Sequence, residues 1–350
     1  MKKIFLVFLF TIINSNSVQA ISLSDALLEA YNNNPELNAE RENLNVSKED
    51  FKISKSEFLP SLTISGSKSS EDTSKNTDRS GANSAVTDVN SKTQSVLIEQ
   101  KLFQGFAGIA GYEKNKIGLS LAQAKYLKKE QDILFKAVEA YTGLAFAKEK
   151  LEINLSNVNL SERQVETDQS RLERGQITLA DVAQSESSLA ESQAKLIESQ
   201  NEVLTSRLEY EKVIGPLENI DNFNNNYQFN FEVPSSLNQA IEISKNNNPD
   251  LIISKLEYEQ SEKDVTIAKS EFSPSATLSL ESSKIDDLSA TVDERDKETV
   301  KATISWPLFK GGKNFAELNR SKSLKNRKKL LFDYAHKSND TDVASAWANL

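Results

Sequence analysis

Hydrophobic residues recur every seven positions along two stretches in the first half of the chain. The first stretch has no proline between Ala107 and Leu172, and the second follows Gly175. The periodic positions are Leu144, Leu151, Val158, Val165 and Leu172, and then Val182, Leu189, Leu196, Val203 and Tyr210. A sustained seven-residue repeat is typical of coiled-coil helices. It predicts an antiparallel hairpin that turns near Arg174, Gly175 and Gln176, with a first helix on the order of 100 Å long.

Other stretches alternate between apolar and polar residues. The alternating apolar positions are Leu62 and Ile64, Val96 and Ile98, Leu278 and Leu280, and Val300, Ile304 and Trp306. Leu97 and Gln100 break the alternation in the first half. A period of two predicts strands with one apolar and one polar face. We expect two pairs of strands of roughly ten residues, each pair joined by a polar loop, which is the length of a tilted transmembrane strand.

Aromatic residues gather where the predicted helices meet the predicted strands. They are Phe58, Phe103, Phe272, Trp306 and Phe309. An ordinary soluble hairpin would show the same alternation of strand residues. An aromatic girdle at the ends of the strands favours insertion into a membrane, although each ring could equally pack in a core at a junction of helix and strand.

Three blocks of sequence occur twice in the same order. Asn32–Leu37 recurs as Asn246–Leu251, Lys55–Ser61 as Lys269–Ser275, and Leu102–Gly105 as Leu308–Gly311. We infer that the gene is duplicated, with a first structural repeat at 21–215, a linker at 216–235 and a second repeat at 236–350. The second repeat stops within the counterpart of the long helix, so we expect about 70 further residues to be missing from it.

Each repeat opens with two short helices separated by an Asn-Pro block. Asn34 is expected to cap the second helix, because Asn is a good N-cap and Pro35 suits the first helical position. We interpret this block as helix punctuation and not as a binding site. Pro60 then ends the second helix.

The N-terminus and the composition restrict the class of protein. Residues 1–20 predict a secretory signal, with Lys2 and Lys3, an apolar segment from Ile4 to Ile13, and a cleavage site ending at Ala20. The chain has no cysteine, which excludes disulfides, thiolate metal sites and a lipid anchor. With 51 acidic against 42 basic residues, nucleic acid is not an expected partner. No apolar run beyond residue 20 is long enough for a transmembrane helix.

Residues for catalysis are not grouped in the sequence. His336 is the single histidine and stands beside Lys337, so a histidine-based dyad or metal cluster would lack its other members. No glycine-rich phosphate loop occurs. We expect no enzyme, no catalytic residue, no cofactor and no metal site.

The order of the elements resembles the TolC family of outer-membrane export channels. The resemblance rests on two repeats, each with helices, a proline-ended junction, strand, loop, strand, Leu-Phe-x-Gly and a coiled-coil hairpin. It implies an α+β membrane protein in which a homotrimer forms a 12-stranded β-barrel in outer-membrane lipid, continued by a coiled-coil α-helical barrel. The lipid-facing residues would be Leu62, Ile64, Val96, Ile98, Leu278, Leu280, Val300, Ile304 and Trp306. Four strands cannot close a barrel alone, and lipid does not tolerate open strand edges, so the expectation requires oligomers.

The resemblance also implies roles at the tip of the hairpin. Gly175, Gln176 and Ile177 match the tip that meets a periplasmic adaptor (membrane fusion) protein, which in turn contacts an inner-membrane transporter. Asp181 resembles an aspartate that helps to close the entrance, with its partners beyond residue 350. Gly175 as an ordinary helix-ending residue and Asp181 as a solvated acid at a helix N-terminus remain alternatives.

The function implied is a passive channel of a tripartite export system, in the outer membrane and extending into the periplasm. Type I protein secretion and small-molecule efflux both remain open. The alternative is a soluble periplasmic coiled-coil adaptor. An adaptor would explain the long hairpin but not the paired amphipathic strands.

Overall fold

The computed structural model describes residues 21–77, 79–84, 87–217, 233–289 and 292–350. The predicted signal peptide and most of the predicted linker lie outside these residues. The chain divides into two compact units, Met1–Ala39 with Lys129–Glu232, and Glu40–Lys128 with Val233–Leu350. The units cut across the two sequence repeats, whose boundaries remain a prediction.

The elements of the second half follow the order of the first. The helices are α1 (Leu23–Asn33), α2 (Pro35–Ser56), α3 (Ala107–Glu173), α4 (Leu179–Val213), α5 (Leu237–Asn247), α6 (Pro249–Ser270) and α7 (Lys313–Ala348). The main strands are β1 (Ser61–Lys68), β6 (Lys92–Gln104), β7 (Ser275–Ser289) and β8 (Val292–Ser305). The short strands are β2 (Glu71–Thr73), β3 (Asn76–Thr77), β4 (Asn83–Ser84) and β5 (Thr87–Val89). Thus α5, α6, β7, β8 and α7 repeat the succession α1, α2, β1, β6 and α3.

The first unit has a core where α1 meets α3 and α4. Tyr141 and Leu144 of α3 are fully buried there beside Ala26 and Ala30 of α1. Asn34 links this core to the start of α2. Its Oδ1 accepts hydrogen bonds from the backbone N–H groups of residues 36 and 37, while its Nδ2 donates to the carbonyl oxygen of Val213 at 2.8 Å. The interpretation of the Asn-Pro block as helix punctuation is confirmed.

The predicted hairpin of α3 and α4 is confirmed as well. Lys150 Nζ lies 2.6 Å from Glu202 Oε2, and the hydroxyls of Ser161 and Ser192 are 3.0 Å apart, so the helices run antiparallel. The side of α4 that faces α3 also carries a serine three residues after each of the first four heptad positions. These serines are Ser185, Ser192, Ser199 and Ser206. Small seam residues allow the two helix backbones to approach closely.

The second unit contains one four-stranded antiparallel sheet in the order β1-β6-β7-β8. Its helices continue the strands, since α2 leads into β1, β6 into α3, α6 into β7, and β8 into α7. Ion pairs hold α6 to a helix on either side. Lys114 Nζ of α3 lies 2.6 Å from Asp264 Oδ1, and Lys328 Nζ of α7 lies 2.6 Å from Glu257 Oε2.

The strands of the second repeat are longer than the sequence predicts. β7 has 15 residues and β8 has 14, so most of the residues expected in a polar loop are paired in the ladder. Both faces of this extension are mostly polar, with Ile285, Leu288 and Val292 as isolated apolar residues, so the sequence shows no regular alternation there. Backbone hydrogen bonds and the cross-strand ion pair of Lys284 with Glu294 form the extension instead. The polar loop of the first repeat likewise contains the short pairs β2-β5 and β3-β4.

The turn from strand to helix uses two consecutive left-handed residues in each repeat. Gly311 and Gly312 have φ angles of 60° and 80°, and Gly105 and Phe106 have 57° and 69°. Phe106 is strained, because its Cβ crowds the backbone in this region while glycine has none. The space at Gly105 is also restricted, since a Cβ there would lie 2.5 Å from the Cβ of Ser273.

Within the described ranges, no helix has both the length and the apolar composition needed to cross a membrane.

Candidate functional site

The four main strands place apolar residues in rows across one face of the sheet. Leu62, Ile98, Leu280 and Val300 pair directly with one another across β1, β6, β7 and β8. Residues two positions apart on a strand share a face. The same face therefore carries Ile64 paired with Val96, Leu278 paired with Ala302, and Ala276 paired with both Phe103 and Ile304. The register thus brings together on one face all the residues predicted to face lipid that lie within these strands.

The apolar rows occupy a limited height of the sheet. Four rows two residues apart span about 20 Å along the strands, close to the roughly 25 Å apolar band of outer-membrane barrels. The row of Ile64 and Val96 continues as Ser282 on β7 and Glu298 on β8, and the next row on the same face carries Gln94, Lys284 and Asp296. The face is therefore divided into an apolar band and a charged extension.

The opposite face of the sheet is polar at the same height. Thr63, Thr299, Ser279 and Lys301 lie there, in rows that alternate with the apolar ones. Leu97 is the exception, paired with Thr63.

Gln100 is the polar exception on the apolar face. Its Nε2 donates to the carbonyl oxygens of Phe58 at 3.3 Å and Lys101 at 3.0 Å. These hydrogen bonds reduce the cost of placing an amide among apolar residues.

The predicted aromatic residues lie at the helix end of the band. Trp306 stands just after β8, and its Nε1 donates to the carbonyl oxygen of Phe272 at 3.0 Å. Phe103 packs edge-to-face on Phe106, with 5.5 Å between ring centroids. Trp306 and Phe309 are exposed, which suits rings placed at a boundary between apolar and aqueous surroundings.

The tip of the α3-α4 hairpin is a glycine-ended turn. The N–H of Gly175 donates to the carbonyl oxygen of Leu172 at 2.8 Å, and the N–H of Gln176 donates to that of Arg171 at 2.9 Å. These two bonds and the φ of 66° at Gly175 form a Schellman motif. Gln176 is exposed and Ile177 is half-buried. Gly175 is therefore a helix-ending residue, and the tip presents Gln176 to its surroundings.

Asp181 is engaged in the N-terminal cap of α4. Its Oδ2 accepts hydrogen bonds from the N–H and the hydroxyl of Thr178, both at 2.8 Å. Thr178 Oγ1 in turn accepts from the N–H of Asp181, which completes a capping box. The backbone and side-chain bonds from Thr178 hold the pKa of Asp181 below its ordinary value. Sequence reasoning missed Thr178, although the spacing Thr-x-x-Asp before an apolar run signals such a cap.

Asp168 is a second acid near the tip that sequence reasoning missed. It is buried in the seam of the hairpin, where it accepts a hydrogen bond from Gln164 Nε2 at 2.8 Å and lies 3.6 Å from Arg171 Nη1. A polar groove of about 510 Å³ runs past Asp168 and Asp181. The signal was the heptad pattern, which places Asp168 on the same side of α3 as Ser161.

Among the described residues, no cluster of three or more His, Asp or Glu side chains is placed so that it could hold a metal ion. His336 packs edge-to-face on Phe332, with 4.7 Å between ring centroids. Its surroundings are therefore those of a helix-packing residue.

A protein-family model described as outer membrane efflux protein matches residues 26–216. Outer membrane efflux protein BepC of Brucella suis biovar 1 is 24% identical over 346 residues, which are 97% of this chain and 72% of that protein. Alkaline protease secretion protein AprF of Pseudomonas aeruginosa is 24% identical over 304 residues, 85% of this chain and 63% of that protein. The chain thus spans less than two thirds of the second relative.

Solved structures share the fold. The Campylobacter jejuni CmeC outer membrane channel superposes with a TM-score of 0.77 and 17% identity, covering 90% of this chain and 68% of that one.

Proposed function

The chain belongs to the outer membrane efflux protein family, and we propose that three copies of it form a passive channel through the outer membrane and the periplasm. Export at the outer membrane is the function of the family, so the alternative of a soluble periplasmic adaptor is wrong. In this proposal the chain forms the wall of the conduit and catalyses no reaction.

The observation that carries the proposal is the division of the sheet into an apolar and a polar face. A surface of Leu, Ile and Val side chains is stable against lipid, whereas the Ser, Thr and Lys side chains on the opposite face of the sheet are suited to water. Val300 is 72% exposed in the single chain, while Leu280 on the central strand is 42% exposed. We propose that lipid covers this band, as expected for Leu62, Ile64, Val96, Ile98, Leu278, Leu280, Val300, Ile304 and Trp306.

The edges of the sheet support an oligomer. In the described part of the chain, β1 and β8 each pair with one strand only. Unpaired N–H and C=O groups are not tolerated in lipid, because nothing there can satisfy them. Pairing β8 of one subunit with β1 of the next removes every edge, and three subunits then supply the 12 strands of the proposed barrel.

The α3-α4 hairpin supports the same arrangement. Phe146, Ile153 and Leu160 form an exposed apolar stripe on α3, and Ile197 and Leu204 form one on α4. In an antiparallel pair, the heptad positions of the first stripe lie on one side of the seam and those of the second lie on the other. Two apolar stripes on opposite sides of a hairpin fit a ring in which each hairpin packs between two others.

The tip residues complete the proposal. Gly175, Gln176 and Ile177 are proposed to meet a periplasmic adaptor (membrane fusion) protein, which connects the channel to an inner-membrane transporter. The exposed side chain of Gln176 is accessible for such contact. Asp181 is proposed to act at the entrance through its second carboxylate oxygen, since its capping bonds use Oδ2.

The names of the two relatives point to two kinds of cargo. One concerns efflux and the other the secretion of a protease. Both cargo classes fit a water-filled conduit without a substrate pocket.

Cysteine labelling tests the proposal directly, because the chain has no cysteine of its own. Leu280→Cys and Glu281→Cys place a thiol on opposite faces of β7 at nearly the same height. In protein assembled in lipid vesicles, we expect a membrane-impermeant maleimide to label the variant at 281 and to spare the variant at 280. Equal labelling of both positions, with the trimer intact, would overturn the lipid-facing assignment. A protein recovered only as a monomer would overturn the proposed channel.

A further inference from the structure

Two lysines face each other directly at the end of the β1-β6 hairpin that is remote from the helices. Lys68, the last residue of β1, pairs with Lys92, the first residue of β6. Both side chains are exposed, and they lie on the same face of the sheet as Ile64 and Val96, two rows further out. Like charges placed directly opposite each other destabilise a pair of strands. An anion held between the two ammonium groups would remove this cost.

The positive charge of this lysine pair has no counter-charge within the chain as described. Among the described side chains, no carboxylate lies within ion-pair distance of Lys68 or Lys92. Asp286 is the backbone partner of Lys92 on β7, but its Oδ1 lies 4.0 Å from Lys284 Nζ. Lys284 also forms an ion pair with Glu294, so the β7-β8 hairpin neutralises its own lysine. The two hairpins therefore differ in charge on this face.

The row between the lysines and the apolar band consists of Gly66 and Gln94. Gly66 has no side chain, and the atom nearest to its Cβ position is the carbonyl oxygen of Thr93 at 3.9 Å. The surface beside the lysines is therefore open on β1, while the exposed amide of Gln94 borders it on β6. Two ammonium groups and one amide can all donate hydrogen bonds to the oxygens of a phosphate.

The position of the lysines along the strands matches the depth of lipid headgroups. The helices of the proposed channel extend into the periplasm, so the opposite end of the strands belongs to the outer leaflet. Four residues of a strand span about 13 Å, and a tilt of about 40° reduces this to about 10 Å along the membrane normal. Lys68 is therefore that far beyond Ile64, where the hydrocarbon region ends and the headgroups begin.

We propose that Lys68 and Lys92 bind the phosphate of a lipid headgroup in the outer leaflet, with Gln94 as a further donor. The inference rests on the proposed lipid-facing band and adds one lipid-binding site to each subunit. The occupant is a lipid because the face that carries the lysines continues directly into the apolar band. A free phosphate would contact the lysines alone, whereas an anionic lipid contacts the lysines and the band at once.

Titration of the full-length trimer with lipid A, a glycolipid that carries phosphate on its sugars, tests the site. Native mass spectrometry from detergent gives the number of lipid molecules bound per trimer and their affinity. The variant that combines Lys68→Gln with Lys92→Gln removes both cations. Each basic residue near an anionic lipid surface contributes roughly five-fold in affinity, so we expect this variant to bind lipid A roughly 25-fold more weakly.

The matched control combines Lys297→Gln with Lys301→Gln. These two lysines of β8 are also exposed but lie on the opposite face of the sheet, so the control loses the same charge from the polar face. Its affinity for lipid A should equal that of the native protein. Dephosphorylated lipid A should bind the native protein more weakly than lipid A does, and should bind the 68/92 variant as it binds the native protein.

The outcomes separate this inference from the proposed function. Weaker binding of lipid A by the 68/92 variant alone supports the site. Equal loss in both variants, no loss in either, or equal binding of both lipids by the native trimer overturns the site and leaves the channel standing. Displacement of lipid A by inorganic phosphate would indicate a site for free anions and overturn the lipid assignment. A protein that is monomeric in detergent before lipid is added overturns the proposed trimer itself.

Discussion

Short polar side chains determine where the helices of this chain begin. Ser22, Asn34, Thr178 and Asn248 each accept hydrogen bonds from N–H groups of the turn that follows. These groups would otherwise lack partners within the helix. The boundaries of α1, α2, α4 and α6 are therefore set locally, by residues that can be read from the sequence.

Asp181 makes the cap of α4 dependent on pH. Its pKa in the folded protein is below the ordinary value, because Thr178 donates to the carboxylate. A lowered folded pKa means that its stabilisation is present above the ordinary aspartate range and is lost as the pH falls through the folded pKa. We expect the first turn of α4 to lose protection at acidic pH, measured by hydrogen-exchange protection factors corrected for intrinsic exchange.

Asp181→Asn is the matched variant for this pH effect. The amide keeps the size of the side chain but does not titrate, so the protection of this turn should become independent of pH. A variant that loses protection at the same pH as the native protein would contradict the assignment.

At the scale of elements, the junction between strand and helix is the most restricted part of the fold. Gly105 combines a left-handed φ of 57° with close contact to Ser270 and Ser273. Gly66 in β1 has ordinary backbone angles, and its nearest neighbour is the carbonyl oxygen of Thr93 at 3.9 Å. The two glycines therefore differ in their tolerance of a methyl group.

Gly105→Ala should lower the free energy of unfolding by about 2 kcal/mol or more, from the left-handed conformation and from overpacking together. Gly66→Ala should change it little. Thermal denaturation of both variants in detergent measures the difference. Equal melting temperatures would show that the junction can relax around the added Cβ.

At the scale of the whole molecule, the edges of β1 and β8 set the expected contacts between subunits, because each of these strands pairs with one strand only in the described part of the chain. The proposed trimer therefore depends on backbone pairing at three such contacts.

Local patterns predicted much of the site and all of its principal elements. The heptad repeat predicted the α3-α4 hairpin, the alternation of apolar and polar residues predicted the strands, and Gly175 predicted the turn. The polar extensions of β7 and β8 could not be predicted, because their strand structure depends on pairing and not on an alternation of apolar residues. Phe103, and not Leu102, pairs with Ala276, since the register shifts between Lys101 and Phe103.

The sequence by itself determined the type and order of the elements, because these follow from the spacing of nearby residues, and its resemblance to the TolC family pointed to the outer-membrane export class. The tertiary structure alone decided which strands are neighbours and in what register. That register places Leu62, Ile98, Leu280 and Val300 in one row, although they are far apart along the chain. Such rows are fixed by backbone hydrogen bonds between strands that are far apart in the sequence. The alternation of residues within one strand does not indicate which other strand will pair with it.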